Sequence, residues 1–324
     1  MTAQSAAIEV TDLHKSFGDH RVLAGLDLHV PAGTVFALLG ANGAGKTTAV
    51  RILSTLLPFD SGSVTVAGHP LPGSARAVRR AISVTGQFAA VDKLLTGREN
   101  LTLIGDLNHL GRQASRRRAA DLLERFDLVG AADHRAGTYS GGMARRLDIA
   151  MSLVADPAVL FLDEPTTGLD PRSRREMWTV VRELVRGGVT VFLTTQYLDE
   201  ADELADRIAV LDHGRVVAEG TARELESLVP GGHLELHFVT ADDLRRAADA
   251  LPDSAVDADA LALTVPTDGS IASLRALLGR VDDGLTVDRV SLHTPNLDDV
   301  FFALTGSRRT DETAATTTTK AVAR

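Results

Sequence analysis

The sequence contains no cysteine, which excludes disulfide bonds, thiolate metal sites and a cysteine nucleophile. Long hydrophobic runs are also missing, because the apolar stretches are about as long as single strands and are interrupted by charged residues or proline. None approaches the ~20 residues that a membrane-spanning helix needs. The first residues, MTAQSAAIEVTDL, lack the basic start and apolar core of a signal peptide. We therefore expect a chain that does not span a membrane, although a partner could hold it at one.

Positively charged residues are fewer than negatively charged ones. The sequence has 34 lysines and arginines and 43 aspartates and glutamates, and its formal net charge is −9. Proteins that bind nucleic acid present a basic surface to the phosphates, so we predict no nucleic-acid partner. Hydrophobic residues make up 44% of the 324 residues, which is typical of a globular protein with one large or two ordinary domains.

Three stretches of the chain differ in their pattern of apolar residues. The first, residues 7–39, alternates short strand-like runs such as TVFALL with turn residues. Residues 88–155 carry apolar residues at helical spacing and predict a helical insertion within a first domain, 1–228. A new alternation of strands and helices predicts a small α/β domain over 229–306, and the threonine-rich tail 307–324 is predicted to be disordered.

The segment GANGAGKT, residues 40–47, matches the pattern G-x-x-x-x-G-K-[ST] between a predicted strand and a predicted helix. Glycines allow backbone N–H groups to curl around phosphate oxygens, and the helix N-terminus adds partial positive charge. Lys46 would reach the β- and γ-phosphates, and Thr47 would bind Mg²⁺. An ordinary glycine turn is the alternative, which the agreement of pattern and context disfavours. The predicted phosphate contacts are Gly40, Asn42, Gly43, Ala44, Gly45, Lys46, Thr47 and Thr48.

Two acids end the apolar strand AVLFLDE at residues 158–164. If this strand lies beside the phosphate loop, Asp163 can hold Mg²⁺ through water and Glu164 can act as the base toward an attacking water. The alternative is that Asp163 merely begins a turn or helix before Pro165. The nearby phosphate loop favours the catalytic interpretation.

The segment YSGGMARRLDIAMSL, residues 139–153, places Ser140, Gly141 and Gly142 at the start of another predicted helix. This is a second anion-binding helix start in one chain, and one nucleotide does not obviously need both from the same subunit. The motifs, in this order, make residues 5–225 resemble the ATP-binding subunit of ABC transporters. The resemblance implies a P-loop NTPase core of the α/β class, with an antiparallel β subdomain, the helical insertion and the small C-terminal α/β domain.

In that family the Ser-Gly-Gly segment of one subunit closes over the ATP held by the phosphate loop of the other. The resemblance therefore implies a homodimer with ATP and Mg²⁺ as cofactors, and ATP contacts from Ser140, Gly141 and Gly142. Tyr139 and Met143 stand where the family more commonly has Leu and Gln.

Three further residues match family positions outside these motifs. Phe17 resembles the aromatic residue that stacks on adenine, although it could be a core residue. Gln87 resembles the glutamine that joins Mg²⁺ to the membrane-subunit contact, with a solvated loop amide as the alternative. Asp170 resembles the acid that bridges the two subunits, and it could also cap the helix that starts at Pro171.

Gln196 ends the apolar strand VTVFLTT and departs from the family, which usually has a histidine there that senses the γ-phosphate. An amide can donate a hydrogen bond to a phosphate oxygen, but it does not become a cation near neutral pH. We hypothesise that Gln196 keeps the sensing contact in weaker form, so that hydrolysis is slow and nearly independent of pH from about 6 to 7.5.

Within the family, the segments ISVTGQFAAVDKLLTGRENL and TTQYLDEADELADRIAVLDHGRV and the C-terminal LDDVFFALTG resemble the daunorubicin-resistance subgroup. The resemblance implies an ATPase that powers a bacterial drug exporter from the cytoplasmic face of the membrane, held there by a separate transmembrane permease subunit. An ATP-binding switch with little hydrolysis is one alternative. A soluble ABC-type ATPase that is not coupled to transport is the other. For LDDVFFALTG itself, a role in the core of the small domain is at least as probable on its sequence as a regulatory role.

Overall fold

The computed structural model describes residues 6–86, 90–229, 232–267, 269–281 and 284–306. The chain divides into two compact units, Met1–Ala222 and Arg223–Arg324. The division falls a few residues before the boundary at 228 that the sequence predicts. The predicted tail, 307–324, and Gln87 lie outside the described residues.

The secondary structure of the first unit follows the predicted alternation closely. Its strands are β1 (Ala6–Phe17), β2 (His20–Pro31), β3 (Val35–Leu39), β4 (Ser61–Val66), β5 (His69–Leu71), β6 (Ile82–Thr85), β7 (Val159–Asp163), β8 (Thr190–Thr195), β9 (Arg207–Asp212) and β10 (Arg215–Gly220). Its helices are α1 (Lys46–Leu53), α2 (Ala75–Ala81), α3 (Gly97–Leu107), α4 (Arg112–Arg125), α5 (Gly141–Ser152), α6 (Pro171–Arg186) and α7 (Leu198–Leu204). The division between the units falls at the start of α8 (Ala222–Glu226).

A six-stranded sheet in the order β10-β9-β3-β8-β7-β6 forms the centre of the first unit. All of its neighbouring strands are parallel except the β9–β10 pair. Every residue of β3, β7 and β8 is buried, which explains why these strands are continuous apolar runs rather than alternating ones. In such a sheet, ligands bind beyond the carboxyl ends of the strands.

A second, antiparallel sheet in the order β2-β1-β4-β5 shares a hydrophobic core with the parallel sheet. Ile8 and Leu23 from this sheet and Phe36, Phe161 and Phe192 from the parallel sheet belong to one cluster of buried side chains. Phe36 and Phe192 stack with their ring centroids 5.7 Å apart. The shared core fixes the antiparallel sheet, whose strand β1 ends at Phe17, against the strands that carry the acids.

The chain between β6 and β7 forms the helices α3, α4 and α5 and two short 3-10 helices, Val129–Ala131 and Ala136–Thr138. A capping box fixes the start of α3, because the Thr96 side chain accepts from the Glu99 N–H and the Glu99 carboxylate accepts from the Thr96 N–H. These helices occupy the segment in which the sequence predicts a helical insertion.

The second unit is a small α/β fold. Its strands are β11 (Gly232–Phe238), β12 (Ala255–Asp257), β13 (Ala262–Thr267) and β14 (Val287–His293), in the antiparallel order β12-β13-β11-β14. Its helices are α9 (Ala241–Ala250), α10 (Ile271–Leu278) and α11 (Leu297–Thr305). Strand β11 alternates buried Leu234, Leu236 and Phe238 with half-buried polar residues, so one face of the sheet forms the core.

Among the described residues, no helix combines the length and apolar character that crossing a bilayer requires.

Candidate functional site

Three neighbouring strands bring the predicted catalytic residues to one edge of the parallel sheet. Leu39, the last residue of β3, pairs with Thr195 of β8, and Thr194 of β8 pairs with Asp163 of β7. The Gly40 N–H then donates to the Thr195 carbonyl at 3.2 Å. The phosphate loop, the two acids and the end of β8 therefore meet at the carboxyl edge, where the sequence argument requires them to be.

The phosphate loop turns through Gly45, which has φ +113° and begins α1 without a side-chain cap. A Cβ at Gly45 would lie 2.9 Å from Leu23 Cδ2, so both the backbone conformation and the space require glycine. The first turn of α1 contains no acidic residue. This helix start therefore leaves N–H groups and partial positive charge for an anion.

Lys46 is almost fully buried and lies between the loop and the acids. Its Nζ donates to the carbonyls of Gly40, at 2.8 Å, and Ala41, at 3.1 Å, and lies 3.6 Å from Glu164 Oε1. Burial lowers the pKa of Lys46, and the carboxylates of Glu164 and Asp163 partly oppose this effect. A phosphate group at the loop would give this buried cation an additional anionic partner.

Thr47 and Asp163, the two described residues of the predicted Mg²⁺ site, are adjacent. Thr47 Oγ1 lies 3.3 Å from Asp163 Oδ1, which also accepts a hydrogen bond from Thr194 Oγ1. Asp163 is only 7% exposed. A hydroxyl and a carboxylate are hard oxygen ligands, and Mg²⁺ commonly takes its remaining ligands from water and nucleotide phosphates. The residues present therefore fit a magnesium ion.

Glu164 has a left-handed backbone conformation, with φ +49°, which a non-glycine residue adopts at an energetic cost. Its N–H donates to the Thr194 carbonyl at 3.1 Å, and its Oε2 accepts from Thr167 Oγ1 at 3.3 Å. The carboxylate lies beside Lys46, with Oε1 3.6 Å from the Lys46 Nζ.

Gln196 directly follows Thr195 and is half-buried at the same edge of the sheet. Phe17 is 50% exposed at the end of β1, where Lys15 Nζ lies 5.4 Å from the ring centroid. This exposure contradicts the alternative of Phe17 as a core residue. Stacking on adenine stays a prediction, as does γ-phosphate sensing by Gln196.

The Ser-Gly-Gly segment begins α5, where Ser140 Oγ accepts from the Met143 N–H at 3.2 Å. Asp170 caps α6, accepting from the N–H groups of Arg172 and Ser173, both at 3.0 Å, and from Ser173 Oγ. The Ser173 hydroxyl contributes most to a lowered pKa of Asp170, followed by backbone N–H groups. The capping interpretation of Asp170 is confirmed, and its role between subunits stays a prediction.

The sequence argument missed several residues that organise this site. Thr194 makes hydrogen bonds with both Asp163 and Glu164. The only feature of the sequence that points to it is the pair of threonines that ends VTVFLTT. Arg145 and Asp148 form a buried ion pair on α5 at 3.0 Å. Their three-residue spacing on an otherwise apolar helix face could have revealed them.

Tyr139 also has a structural role that its position before Ser140 does not reveal. Its hydroxyl donates to the Ala131 carbonyl at 2.7 Å. A Cβ at Gly97 would lie 2.2 Å from the same hydroxyl oxygen. The residue before the Ser-Gly-Gly segment thus packs directly against the start of α3.

Comparison with known proteins places these features together in one family. The family described as ABC transporter matches residues 23–167. The chain is 50% identical to the daunorubicin resistance ATP-binding protein DrrA2 of Streptomyces coeruleorubidus, covering 95% of this chain and 98% of that protein. It is also 50% identical to the daunorubicin/doxorubicin resistance ATP-binding protein DrrA of Streptomyces peucetius, over 97% of this chain and 98% of the relative.

Solved structures resemble the fold as well. The structure of cbiO1 from Clostridium perfringens, described as part of the ABC transporter complex cbiONQ, aligns with a TM-score of 0.64 and 26% identity. The alignment covers 76% of this chain and 96% of that one.

Proposed function

The chain belongs to the ATP-binding subunits of ABC transporters, and we propose that two copies bind two ATP and power a bacterial exporter of hydrophobic, drug-like compounds. The observation that carries this proposal is the meeting of Lys46, Thr47, Asp163 and Glu164 at one edge of the parallel sheet. The identity of 50% to daunorubicin resistance ATP-binding proteins supports the class of exported compound.

The phosphate loop and Lys46 hold the ATP phosphates, and Thr47 and Asp163 hold Mg²⁺, with Gln87 proposed as a further ligand. When bound, Mg²⁺ neutralises charge on the β- and γ-phosphates. Phe17 supports the adenine ring. These contacts are made within one subunit.

Glu164 is the proposed general base toward a water molecule in line with the γ-phosphate. Its contacts with Lys46 and Thr167 hold the carboxylate beside the phosphate loop. Gln196 donates its amide N–H to a γ-phosphate oxygen and signals whether that phosphate is present.

Dimer closure supplies the remaining contacts. Ser140, Gly141 and Gly142 of one subunit cover the ATP held by the other, and Asp170 lies at the junction between subunits. Because these contacts need the γ-phosphate, ATP favours the closed dimer and hydrolysis favours opening.

A separate transmembrane permease is the proposed partner, and it would hold the chain at the cytoplasmic face of the membrane. A groove of about 400 Å³ between β6 and the helical segment is suited to receive it. The groove combines apolar and polar side chains, including Arg79, Val84, Ile104, Leu110, Asp148 and Met151. Such a mixed lining is typical of a protein contact that must open and re-form.

The test is phosphate release from Mg-ATP by the purified chain beside Glu164→Gln, with nucleotide binding measured on both. We expect slow turnover by the wild type, nearly flat from about pH 6 to 7.5 because Gln196 does not titrate. Loss of a catalytic base should lower the rate by about 100-fold while ATP binding persists. A rate that follows a group with a pKa near 6.5 contradicts the role of Gln196.

If both proteins bind ATP and neither hydrolyses it, the chain alone is an ATP-binding switch. Measuring the chain together with its permease in lipid vesicles then decides whether the partner restores turnover.

A further inference from the structure

A buried arginine on α5 spans the ends of two neighbouring strands of the parallel sheet. Arg145 Nε donates to the Pro165 carbonyl at 2.9 Å, and Arg145 Nη1 donates to the Gly86 carbonyl at 2.9 Å. Pro165 directly follows Glu164, and Gly86 directly follows β6. The planar guanidinium therefore fixes the backbone just beyond β6 and just beyond β7 relative to α5.

Asp148, one turn further along α5, completes this connection. Its Oδ2 accepts from Arg145 Nη1 at 3.0 Å, and its Oδ1 accepts from the Ala90 N–H at 2.9 Å. The Arg145 and Asp148 side chains are only 8% and 5% exposed. Asp148 also lines the groove described above. One ion pair thus joins that groove, helix α5 and the residue next to Glu164.

Burying such a pair is costly unless its hydrogen bonds are satisfied, and a buried ion pair often adds little net stability. The fork of Arg145 is directed at backbone carbonyls of separate segments, which a hydrophobic pair could not join. These contacts suggest that the pair determines relative position more than stability.

We propose that Arg145, held by Asp148, is a positioning residue that makes the placement of Glu164 depend on the orientation of α5 and on occupation of the groove. This proposal rests on the ATPase function proposed above. The Ser-Gly-Gly segment lies at the start of α5. A subunit whose segment contacts the ATP of its partner would therefore also change the position of its own Glu164. A permease segment that moves Asp148 would have the same effect.

The test is the substitution Arg145→Lys in the full chain. Lysine keeps a positive charge for Asp148 but has no planar fork with which to hold two separate carbonyls. We expect amide hydrogen exchange in residues 164–169 to become faster by about fivefold or more in the nucleotide-free chain, because that loop loses its anchor. We expect kcat to fall by about tenfold while the KM for ATP changes by less than about twofold.

Arg146→Lys is the matched control, since it makes the same substitution at the next residue of the same helix. Arg146 Nη1 instead donates to the Phe126 carbonyl at 3.3 Å and pairs with exposed Asp127. We expect unchanged exchange in residues 164–169 and wild-type kcat. If Arg145→Lys and Arg146→Lys show the same exchange in this loop, the proposal is overturned.

If the melting curve of Arg145→Lys shows that this variant does not fold, Asp148→Asn is measured in its place. Asparagine can still accept from the Ala90 N–H but no longer holds Arg145 by charge. We expect faster exchange in residues 164–169 by about twofold, less than for Arg145→Lys, and unchanged exchange there overturns the proposal. If the wild type shows no turnover, the ATPase function fails, whereas the exchange measurement still decides the role of Arg145.

Discussion

The starts of helices α1 and α3 serve opposite purposes in this molecule. Helix α3 closes its own N-terminus with the Thr96–Glu99 capping box. Helix α1 begins at Gly45, with no side-chain cap and no acid in its first turn. In both helices the first N–H groups have no partner within the helix, and both helices have the same dipole. An uncapped start is not sufficient for a ligand site, because α4 also begins at a glycine, Gly111, with no side-chain cap and no acid in its first turn. The start of α1 differs in carrying Lys46 and in lying beside Asp163 and Glu164.

Helix α7 provides a third kind of start. Glu200 lies in its first turn but is fully buried, and Trp178 Nε1 donates to Glu200 Oε1 at 3.4 Å. Burial raises the pKa of Glu200, and contacts with Thr195 and then Thr166 and Trp178 partly oppose this shift. Relative to an exposed glutamate, burial thus favours the neutral form of this carboxyl group.

Gly45→Ala should have the largest effect, because it disturbs the open start of α1. The methyl group would lie 2.9 Å from Leu23 Cδ2 at a backbone φ of +113°. We expect ATP affinity to fall by at least about 100-fold and the free energy of unfolding to fall by about 1–3 kcal/mol. Fluorescent-nucleotide titration and urea denaturation measure the two effects. ATP binding close to that of the wild type would show that the loop does not need glycine here.

Glu200→Gln should change how the stability of the protein depends on pH. Because the folded-state pKa of Glu200 is raised, the folded protein keeps a proton that the unfolded chain releases. Wild-type stability should therefore fall as pH rises from about 4.5 through the folded-state pKa, by at most about 1.4 kcal/mol per pH unit for one proton. Glutamine does not titrate, so the advantage of the variant should grow over the same window and then level off. Urea denaturation at several pH values measures it, and a difference independent of pH would show that Glu200 does not titrate there.

Thr96→Ala should give the smallest effect, because it opens a helix start that binds no ligand. Loss of the cap should lower the free energy of unfolding by about 1 kcal/mol. Since α3 contributes no residue to the proposed ATP contacts, kcat and the KM for ATP should stay at wild-type values. A large loss of turnover in a folded Thr96→Ala protein would mean that the start of α3 has a role beyond structure.

The sequence predicted the parallel strands and the catalytic edge well, for a physical reason. Strands β3, β7 and β8 are buried on both faces, and each is followed by a glycine, an acid or an amide residue. The apolar run that predicts the strand and the residues that predict the site therefore occur together in one short segment. Strand β6 and the short elements β5, α2, α8 and β12 were missed. Four residues with a half-buried pattern, as in β6, carry little periodic signal, and β6 is defined by its pairing with β7.

The parts of the site that could not be predicted depend on contacts between distant segments. Arg145 reaches Gly86 and Pro165 across 59 and 20 residues of sequence. Its spacing with Asp148 is a local signal for the ion pair, but nothing in the local pattern predicts that Arg145 reaches these two distant carbonyls while Arg146 contacts another surface. Likewise, the buried state of Glu200 follows from the packing of α7, although its sequence, LDEADEL, is typical of an exposed acidic helix.

The contact between Tyr139 and Gly97 links two positions that are far apart in the chain. Because a Cβ at residue 97 would overlap the tyrosine hydroxyl, any side chain larger than hydrogen at 97 requires the tyrosine to shift or a shorter residue at 139. In evolutionary terms, the two sites must mutate together or pass through a strained intermediate. A tyrosine before the Ser-Gly-Gly segment thus favours glycine at the start of α3 for as long as the tyrosine keeps this position.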